Sequence, residues 1–476
     1  MLKFTDTDRK TPPKRAAGDR VTDFGEIYSG FSVAEARAQS SRCSQCGVPF
    51  CQNHCPLSND IPDWLRLTAE GRVREAFMLS SATNNMPEIC GRICPQDRLC
   101  EGSCVIEQSG HGTVTIGAVE QFITETAWEN GWVEPIKVGP SLNRSVGIIG
   151  AGPAGLAAAE ELRKGGVDVV IYDRYDRAGG LLVYGIPNFK LEKDVVARRI
   201  ARLEAAGVEF RLNFEIGRDA SLNELRGRHD AVLIATGVYK GRDLEIDGES
   251  AEGVVAALDY LTASNRIGLG DDVADFASGR LNAEGKRVVV IGGGDTAMDC
   301  VRTAVRQGAV SVTCLYRRDR INMPGSARET KNAEEEGVIF EWLAAPKAIE
   351  TVIGKVVGIT AFRMRIGEMD ASGRQSVEEI AGSDFRLDAD LVIKALGFEP
   401  EDLPSVFGEP ALKVTRRGTL ETARGSLETR LPGVYAAGDI VRGASLVVWA
   451  IADGRRAAAE IAERLATAAT TLLAAE

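Results

Sequence analysis

The stretch VGIIGAGPAG (146–155), followed by LAAAEELRKGG (156–166), decides the fold. A short apolar run, a glycine-rich turn and an Ala-rich helical pattern predict a strand, a tight turn and a helix, which together bind a dinucleotide. Gly150 permits the turn, Gly152 lets the backbone approach a pyrophosphate, and Gly155 allows close packing of helix on strand. The helix N-terminus would then face the phosphates with its partial positive charge.

Segments downstream of this turn complete the same predicted site. The next predicted strand, Val167 to Tyr172, ends at Asp173. The carboxylate of Asp173 suits ribose hydroxyls. In the alternative interpretation, Asp173 only begins a turn. The run AVLIATG (231–237) and the run GVYAAGD (433–439) are buried-strand patterns that end in small residues, which leave room for a bound dinucleotide. The further candidate ligand-binding residues are Gly179, Gly180, Thr236, Gly237, Gly438 and Asp439.

A second glycine turn follows the strand pattern RVVVI (287–291). In GGGDTA (292–297), Gly292, Gly294 and Ala297 take the three motif positions, with Asp295 and Thr296 between them. The strand predicted after its helix, Val310 to Leu315, is followed by Arg317 and Arg318 rather than by an acid. Arginine suits a ribose 2′-phosphate, which favours NADPH over NADH, whereas the alternative is a solvated basic turn.

Eight of the ten cysteines lie between Cys43 and Cys104. One group reads Cys43-x2-Cys46-x4-Cys51-x3-Cys55 and the other Cys90-x3-Cys94-x5-Cys100-x3-Cys104. Disulfides need an oxidising compartment, and the charged N-terminus lacks the apolar segment of a secretory signal, so we expect a cytoplasmic protein. Structural zinc remains an alternative. The spacing resembles that of ferredoxin-type iron–sulfur clusters, and two groups indicate two clusters with interlaced ligands.

Composition excludes several classes of function. The net charge is −11, which argues against a sequence-independent nucleic-acid binder and against a polybasic membrane anchor. No apolar run reaches the roughly 18 residues of a spanning helix. The three histidines leave little room for a His-based metal site or catalytic triad, and His54 in the first Cys group is expected on the surface or behind the ligands.

The predicted fold class is α/β: two Rossmann-like dinucleotide-binding domains preceded by a small helical iron–sulfur domain. Residues 61–82 and 116–128 are predicted helices of that first domain, and residues 139–145 form a polar linker. The predicted domains are a helical cluster domain (1–140), a first part of an FAD-binding domain (141–285), an NADPH-binding domain (286–397) and a second part of the FAD-binding domain (398–476).

The order of these motifs resembles the two-dinucleotide flavoproteins, in which an FAD domain is interrupted by an NAD(P)H domain. With the eight-Cys segment and the stretches GGLLVYGIPNFKLEK (179–193), YRRDRINMPGSARE (316–329) and GDIVRGASLVVWAIADGRRAA (438–458), it resembles the small (beta) subunits of bacterial NADPH-dependent glutamate synthases. That resemblance covers essentially the whole chain. The chain is also similar to the amino-terminal half of dihydropyrimidine dehydrogenases.

The resemblance implies FAD, NADPH and two [4Fe-4S] clusters. It implies one cluster on Cys43, Cys46, Cys51 and Cys104, and the other on Cys55, Cys94 and Cys100. The fourth ligand of the second cluster is a glutamine in the dehydrogenase; the matching position here is Glu120, with Cys90 as the alternative.

The resemblance also implies an electron-input subunit that oxidises NADPH at FAD. Its partner would be a large (alpha) subunit carrying FMN, which makes glutamate from glutamine and 2-oxoglutarate in a hetero-oligomer. Met1-Leu2 offers no amino-terminal Cys nucleophile for glutamine hydrolysis, and the length leaves no room for an FMN barrel of about 250 residues. No side chain is predicted as a general acid or base, because the cofactors carry the chemistry.

Three alternatives to this function remain. The first is a related NADPH-dependent electron-transfer subunit that serves ferredoxin or a sulfur acceptor. The second is a disulfide reductase, which needs a redox Cys pair that Cys300 and Cys314 do not form as a C-x-x-C motif. The third is a non-catalytic scaffold, which the two intact glycine turns disfavour.

Overall fold

The structure is a computed structural model that describes residues 1–369 and 375–473. Residues 1–140 are helical, with one-turn 3-10 helices at Lys3–Thr5 and Gln96–Arg98. The eight α-helices of this segment are α1 (Ala17–Arg20), α2 (Val33–Ser41), α3 (Phe50–Asn53), α4 (Ile61–Ala69), α5 (Val73–Thr83), α6 (Pro87–Ile93), α7 (Val105–Gln108) and α8 (Ile116–Glu129).

One of the helices predicted for this domain is confirmed and the other is divided. Helix α8 corresponds to the predicted 116–128, whereas the predicted helix 61–82 is two helices, α4 and α5. The break lies at Gly71, whose φ of +84° a right-handed helix cannot accommodate. The apolar spacing continues across the break because both helices bury one face against the same core, so periodicity alone does not show it.

The first nucleotide-binding unit begins directly after the polar linker. Its parallel strands alternate with helices, as the buried apolar runs of the sequence predict. The elements from residue 145 to residue 234 are β1 (Ser145–Ile149), α9 (Pro153–Lys164), β2 (Asp168–Tyr172), α10 (Leu181–Tyr184), α11 (Lys193–Ala205), β3 (Glu209–Arg211), α12 (Leu222–Arg228) and β4 (Ala231–Ile234).

The second unit contains another parallel sheet and an antiparallel one. The antiparallel strands were not predicted from the sequence, because their residues alternate between exposed and buried positions without a glycine turn or other motif that would mark them. The elements from residue 240 to residue 394 are β5 (Lys240–Gly241), β6 (Val254–Ala256), α13 (Ala257–Gly268), α14 (Ala274–Ala277), β7 (Arg287–Ile291), α15 (Asp295–Arg306), β8 (Ser311–Tyr316), α16 (Ala327–Glu335), β9 (Ile339–Trp342), β10 (Ala344–Val352), β11 (Lys355–Met369), β12 (Gln375–Glu379), β13 (Phe385–Asp388) and β14 (Leu391–Lys394).

The chain then returns to the first unit. The remaining elements are β15 (Phe398–Glu399), α17 (Leu403–Val406), β16 (Val434–Ala436), α18 (Asp439–Arg442) and α19 (Val447–Leu473). The first sheet has the order β16-β4-β1-β2-β3 and the second β6-β14-β7-β8-β9, so both are doubly wound parallel sheets. Strand β16 pairs with β4, which shows that the first unit is interrupted by the second.

Sheet pairing differs from the predicted division at residue 285 in one respect. Strand β6 pairs in parallel with β14, so residues 254–256 lie in the second sheet rather than in the first unit. Helix α13 contacts α15 of the same unit. A strand of three residues that enters no glycine turn contains nothing in its sequence that indicates which sheet it joins. Within the described residues, no helix is both long and apolar enough to cross a bilayer.

The helical domain is bound to the second unit by a buried ion network. The carboxylate of Glu336, directly after α16, accepts hydrogen bonds from Arg20 Nε at 2.8 Å, Arg302 Nε at 2.9 Å and Arg306 Nη1 at 2.7 Å. Burial disfavours the charged form of Glu336, but the guanidinium groups of Arg306 and Arg302 outweigh it and lower the pKa of Glu336 to about 2. The hydrogen bond from Arg20 fixes the N-terminal segment to the second nucleotide-binding unit.

Candidate functional site

The first glycine turn lies between β1 and α9. Gly150 has a φ of +110°, and a Cβ added there would lie 2.4 Å from Ala235 O. A Cβ on Gly155 would lie 2.0 Å from Gly150 O, so helix and turn touch at this point. A Cβ on Gly152 would meet no heavy atom within 4 Å. The backbone at Gly152 therefore faces open space, as approach of a pyrophosphate requires.

Asp173 follows β2 directly and closes one side of this turn. Its Oδ2 accepts a hydrogen bond from Ala151 N at 2.6 Å and its Oδ1 accepts one from Tyr175 N at 2.8 Å. Burial raises the pKa of Asp173, while the two N–H donors stabilise its charge. The carboxylate orients the turn and keeps lone pairs for a further donor, so a contact with ribose hydroxyls stays a prediction.

The other small residues predicted for this site meet around the same turn. Gly179 N donates to Ala151 O at 2.8 Å, and a Cβ on Gly180 would lie 3.0 Å from Gly152 Cα. Thr236 lines a cavity together with Gly150 and Asp173. The contacts named here and in the next paragraph place Gly179, Gly180, Thr236 and Gly438 around this turn, and Gly237 and Asp439 directly follow Thr236 and Gly438 in the chain.

Gly438 and Asp439 are at the junction of β16 and α18. Gly438 has a φ of +78°, and a Cβ there would lie 3.1 Å from the Cβ of Ala154 on α9. Asp439 Oδ1 accepts a hydrogen bond from Ser445 Oγ at 2.6 Å, and burial raises the pKa of Asp439. The strand end therefore presents a carboxylate beside the first glycine turn, which fits a ribityl or ribose hydroxyl.

The second glycine turn repeats this geometry between β7 and α15. Gly292 has a φ of +144°, and a Cβ there would lie 2.2 Å from Ala395 O. Gly294 faces open space, since a Cβ there would meet nothing within 4 Å. Ala297 is fully buried at the third motif position. Like the first turn, it offers backbone N–H groups at a helix N-terminus to a phosphate.

Residues beside the second turn differ in what they can contact. Asp295 Oδ1 accepts a hydrogen bond from Ser326 N at 2.9 Å, so this carboxylate holds a neighbouring loop, while Thr296 lies half-buried in the first turn of α15. Arg317 is exposed directly after β8, and Arg318 Nη2 donates to Gln375 O at 3.1 Å. Among the described residues, Arg318 Nε has no hydrogen-bond partner. A buried donor of this kind fits a 2′-phosphate.

The eight N-terminal cysteines surround two adjacent cavities. The first is lined by Cys43, Cys46, Cys51 and Cys104, and the second by Cys55, Cys90, Cys94, Cys100 and Glu120. Both alternatives for the fourth ligand, Glu120 and Cys90, therefore face the second cavity. Burial raises the pKa of Glu120 to about 8, and Asn59 Nδ2 donates to its Oε1 at 3.4 Å.

The donor set fits iron–sulfur clusters better than the alternatives. None of the ten cysteines, all within the described residues, forms a disulfide. Across the described ranges no three Cys, His, Asp or Glu side chains converge on a point that a single ion could occupy. A zinc ion draws its ligands to one centre, whereas a four-iron cluster binds each thiolate at a different iron and needs the cavity seen here. His54 is exposed and lines neither cavity.

The second cysteine cavity adjoins the first nucleotide-binding unit. Val448, in the first turn of α19, lines this cavity together with Cys55 and Cys94. Ile116, at the start of α8, lines both cysteine cavities. Helix α19 therefore borders the second cavity, and the second cavity borders the first.

One contact at the site carries no sequence signal. Lys190 Nζ, from the first unit, donates to Asp299 Oδ1 on α15 at 2.7 Å, and both side chains are almost buried. This ion pair holds the two nucleotide-binding units together next to the second glycine turn. Lys190 lies in the stretch 179–193 and Asp299 on α15, and no sequence pattern connects the two, so only the structure places them in contact.

Two glycine turns in doubly wound sheets, combined with two cysteine-lined cavities, define an iron–sulfur-containing pyridine nucleotide oxidoreductase. Residues 20–132 match the family model "Dihydroprymidine dehydrogenase domain II, 4Fe-4S cluster", and residues 144–454 match "Pyridine nucleotide-disulphide oxidoreductase". In structure, the chain is similar to FprA from Mycobacterium tuberculosis, with a TM-score of 0.60 and 21% identity over 70% of this chain and 86% of that one. That likeness concerns the fold.

Relatives of the whole chain define its family more narrowly. The glutamate synthase [NADPH] small chain of Azospirillum brasilense is 65% identical over 96% of this chain and 95% of its own length. That of Escherichia coli (strain K12) is 48% identical over 96% of this chain and 97% of its own. The chain belongs to the family of glutamate synthase [NADPH] small chains.

Proposed function

We propose that this chain is the electron-input subunit of a glutamate synthase. It oxidises NADPH at FAD and passes the electrons through two [4Fe-4S] clusters to a large subunit that carries FMN and makes glutamate from glutamine and 2-oxoglutarate. The observation that supports the proposal is that Val448 lines the second cysteine cavity, because a cluster held there would lie beside the flavin side of the first unit. The family membership supports the identity of the partner.

The residues around the two turns would bind and orient the nucleotides. When bound, FAD would supply hydride acceptance from NADPH, and the clusters would supply one-electron acceptance. Gly150 and Gly155 permit the turn and its close packing, Gly152 would admit the FAD pyrophosphate, and Asp173 and Asp439 would bind its hydroxyls. The second turn admits the NADPH pyrophosphate, and the pair Arg317 and Arg318 binds the 2′-phosphate.

The order of the two cysteine cavities gives the direction of electron flow. The cavity of Cys55, Cys94 and Cys100 adjoins the first unit, so its cluster would receive electrons first. Phe50, which is 46% exposed, lines the cavity of Cys43, Cys46, Cys51 and Cys104, and Val48, between Cys46 and Cys51 in the chain, is 58% exposed. An exposed apolar surface over the second acceptor fits the docking face of the large subunit. We propose this face as the exit to the hetero-oligomeric partner.

The domain limits and the compartment are part of the proposal. Residues 1–140 would hold the clusters, residues 141–285 and 398–476 the FAD, and residues 286–397 the NADPH. The pairing of β6 argues for assigning residues 254–256 to the NADPH unit instead. Thiolate-ligated clusters need reduced cysteines, which favours the cytoplasm.

Disulfide reduction is the alternative that the structure opposes most directly. Cys300 and Cys314 are both fully buried in the core of the second unit. Burial raises the pKa of Cys314 to about 12, and it raises the pKa of Cys300 as well. The thiolate is the reactive form, so these two residues are poor candidates for a redox pair.

The test reconstitutes the chain anaerobically with and without the large subunit. The chain alone should contain about eight iron atoms, reduce ferricyanide with NADPH, and make no glutamate. The variant Cys94→Ser should still reduce FAD with NADPH in stopped-flow absorbance but should not support glutamate synthesis with the large subunit. The control Cys300→Ala, outside both cavities, should support both steps. Glutamate synthesis by the chain alone, or by the Cys94→Ser complex at the wild-type rate, would refute the proposal.

A further inference from the structure

A short loop covers the second glycine turn. It consists of Met323, Pro324, Gly325 and Ser326, and we refer to it as the cover loop. Gly325 N donates a hydrogen bond to Gly293 O at 2.8 Å, and Ser326 N donates to Asp295 Oδ1 at 2.9 Å. A Cβ on Gly325 would lie 3.1 Å from Gly293 O, so the loop and the turn are in close contact.

The iron–sulfur domain holds this loop from the opposite side. Arg98 Nη2 donates to Gly325 O at 2.7 Å and to Met323 O at 3.2 Å. Arg98 ends the 3-10 helix Gln96–Arg98, which lies between Cys94 and Cys100. A guanidinium that joins two carbonyl groups of one loop restricts the position of that loop.

Another hydrogen bond crosses this junction beside the cover loop: Arg328 Nη2, two residues after Ser326, donates to Arg92 O at 3.1 Å. Next to Arg98, the two domains are separated by a cavity of about 430 Å³, whose lining includes Asp97, Ala327 and Arg328. Ala327 N donates to Asp97 Oδ2 at the long distance of 3.4 Å. Arg98 thus binds the cover loop itself, whereas the buried pair of Arg20 and Glu336 joins the same two domains at another point.

The cover loop carries one polar atom without a protein partner. Ser326 is 4% exposed, and its Oγ has no hydrogen-bond partner within residues 1–369 and 375–473. Buried hydroxyl groups are normally paired, and an exception calls for a ligand or water. Ser326 is anchored to Asp295 at the N-terminus of α15, where a dinucleotide phosphate would bind.

We propose that Ser326 binds the NADPH pyrophosphate through its Oγ–H, and that Arg98 is the positioning residue that holds the cover loop for this contact. The inference rests on the proposed function, since it takes the second turn as the NADPH site. It assigns the iron–sulfur domain a part in nucleotide binding besides its part in electron transfer. Arg98 touches no nucleotide and acts only through the backbone of the cover loop.

The experiment uses the reconstituted holoenzyme and two readouts. Calorimetric titration gives the Kd for NADP⁺, and stopped-flow flavin reduction gives the NADPH concentration dependence and the limiting rate. In Arg98→Gln, both the Kd and the half-saturating NADPH concentration should rise about two- to tenfold, the range of one net hydrogen bond. The limiting rate and the flavin spectrum should not change. Arg98→Lys should recover part of the affinity, because its ammonium can still bind one carbonyl.

Two further variants separate this proposal from a general loss of stability. Ser326→Ala should weaken NADP⁺ binding by a similar factor, and the double variant should be no weaker than the weaker single variant, because both changes act through one contact. Arg66→Gln is the control: Arg66 is an exposed arginine of the same domain that pairs with Asp63 and Glu70. Its affinity should equal that of the wild type.

The outcomes distinguish this inference from the proposed function. If wild-type holoenzyme neither binds NADP⁺ nor reduces its flavin with NADPH, the proposed function fails. If the wild type does both and Arg98→Gln or Ser326→Ala keeps the wild-type Kd, the inference alone is wrong. Fully additive losses in the double variant would also overturn it, since they would show two independent contributions.

Discussion

The two glycine turns have the same backbone geometry, but the next strand of each unit is followed by side chains of opposite charge. In each turn the first glycine has a positive φ and abuts the carbonyl oxygen of an alanine, Ala235 or Ala395, at the end of the neighbouring strand. The next strand then ends in Asp173 in the first unit and in Arg317 and Arg318 in the second. Under the proposed function, the turn would admit a dinucleotide and the residue after the following strand would select which one.

The largest expected effect comes from breaking either turn. Gly150→Ala should abolish FAD binding, because a Cβ there would lie 2.4 Å from Ala235 O at a φ of +110°. Gly292→Ala should abolish NADPH-dependent flavin reduction and leave FAD bound, since its Cβ would lie 2.2 Å from Ala395 O. The absorbance spectrum reports FAD, and stopped-flow mixing reports reduction. Loss of FAD in Gly292→Ala would show that the two turns are not independent.

The two units also differ in how the helical domain holds them. Arg199 of the first unit forms a buried pair with Glu88 of the helical domain. In the second unit, Glu336 accepts hydrogen bonds from Arg20 of the helical domain and from Arg302 and Arg306 of its own unit. Glu336→Gln should lower the free energy of unfolding by about 3–5 kcal/mol, because three buried cations lose their shared anion. Glu334→Gln, which removes an exposed pair with Arg320, should cost at most about 1 kcal/mol. Denaturant titration measures both.

The stabilisation that the Glu336 carboxylate provides should depend on pH. The pKa of Glu336 is lowered from 4.5 to about 2, so the charged carboxylate stabilises the folded protein above the ordinary value. That stabilisation should be lost as the pH falls from 4.5 towards 2, where the folded protein also takes up the proton. The gap between wild type and Glu336→Gln should therefore shrink in acid. A gap that stays constant over this range would contradict the assignment.

Removing the charge that selects NADPH should have a moderate effect. Replacing Arg317 and Arg318 together with glutamine should raise the KM for NADPH about tenfold or more, because charge-assisted hydrogen bonds contribute about 1.5–3 kcal/mol each. Use of NADH should change little. Arg320→Gln is the matched control, since its guanidinium is already paired with Glu334. An unchanged KM in the double variant would rule out a 2′-phosphate site here.

The smallest effect concerns the third motif position, which is Gly155 in one turn and Ala297 in the other. Ala297→Gly should cost only about 0.5–1 kcal/mol of stability and leave the KM for NADPH unchanged, because it adds only backbone freedom within α15. The reverse change at Gly155 has no room, since a Cβ would lie 2.0 Å from Gly150 O. Thermal unfolding and NADPH titration check the first variant; a raised KM would show that Ala297 shapes the site.

The parts of the molecule that could be predicted from the sequence are those built on common local motifs. Both glycine turns, the strands that enter them and the assignment of eight cysteines to the first domain follow from local patterns. The structure groups these cysteines around two cavities, although it leaves Glu120 and Cys90 as alternatives. The ligand sets and nucleotide contacts themselves stay predictions.

Contacts between distant segments could not be predicted in this way. Arg98 meets Gly325, and Lys190 meets Asp299, across domain boundaries, and no spacing rule connects the members of either pair. The break of the first long helix at Gly71 is hidden because both halves keep the same apolar spacing. The antiparallel strands β10 to β13 lack a motif, and the short strand β6 reveals its sheet only through its partner β14.

The ion network around Glu336 has a consequence for synthesis of the chain. Arg20 is made 316 residues before Glu336, its buried partner. At about 5–20 residues per second, the helical domain waits roughly 15 to 60 s on the ribosome before this contact can form. During that time the guanidinium of Arg20 lacks its partner Glu336. The first domain to emerge therefore makes this contact with the second unit only after most of the chain has been synthesised.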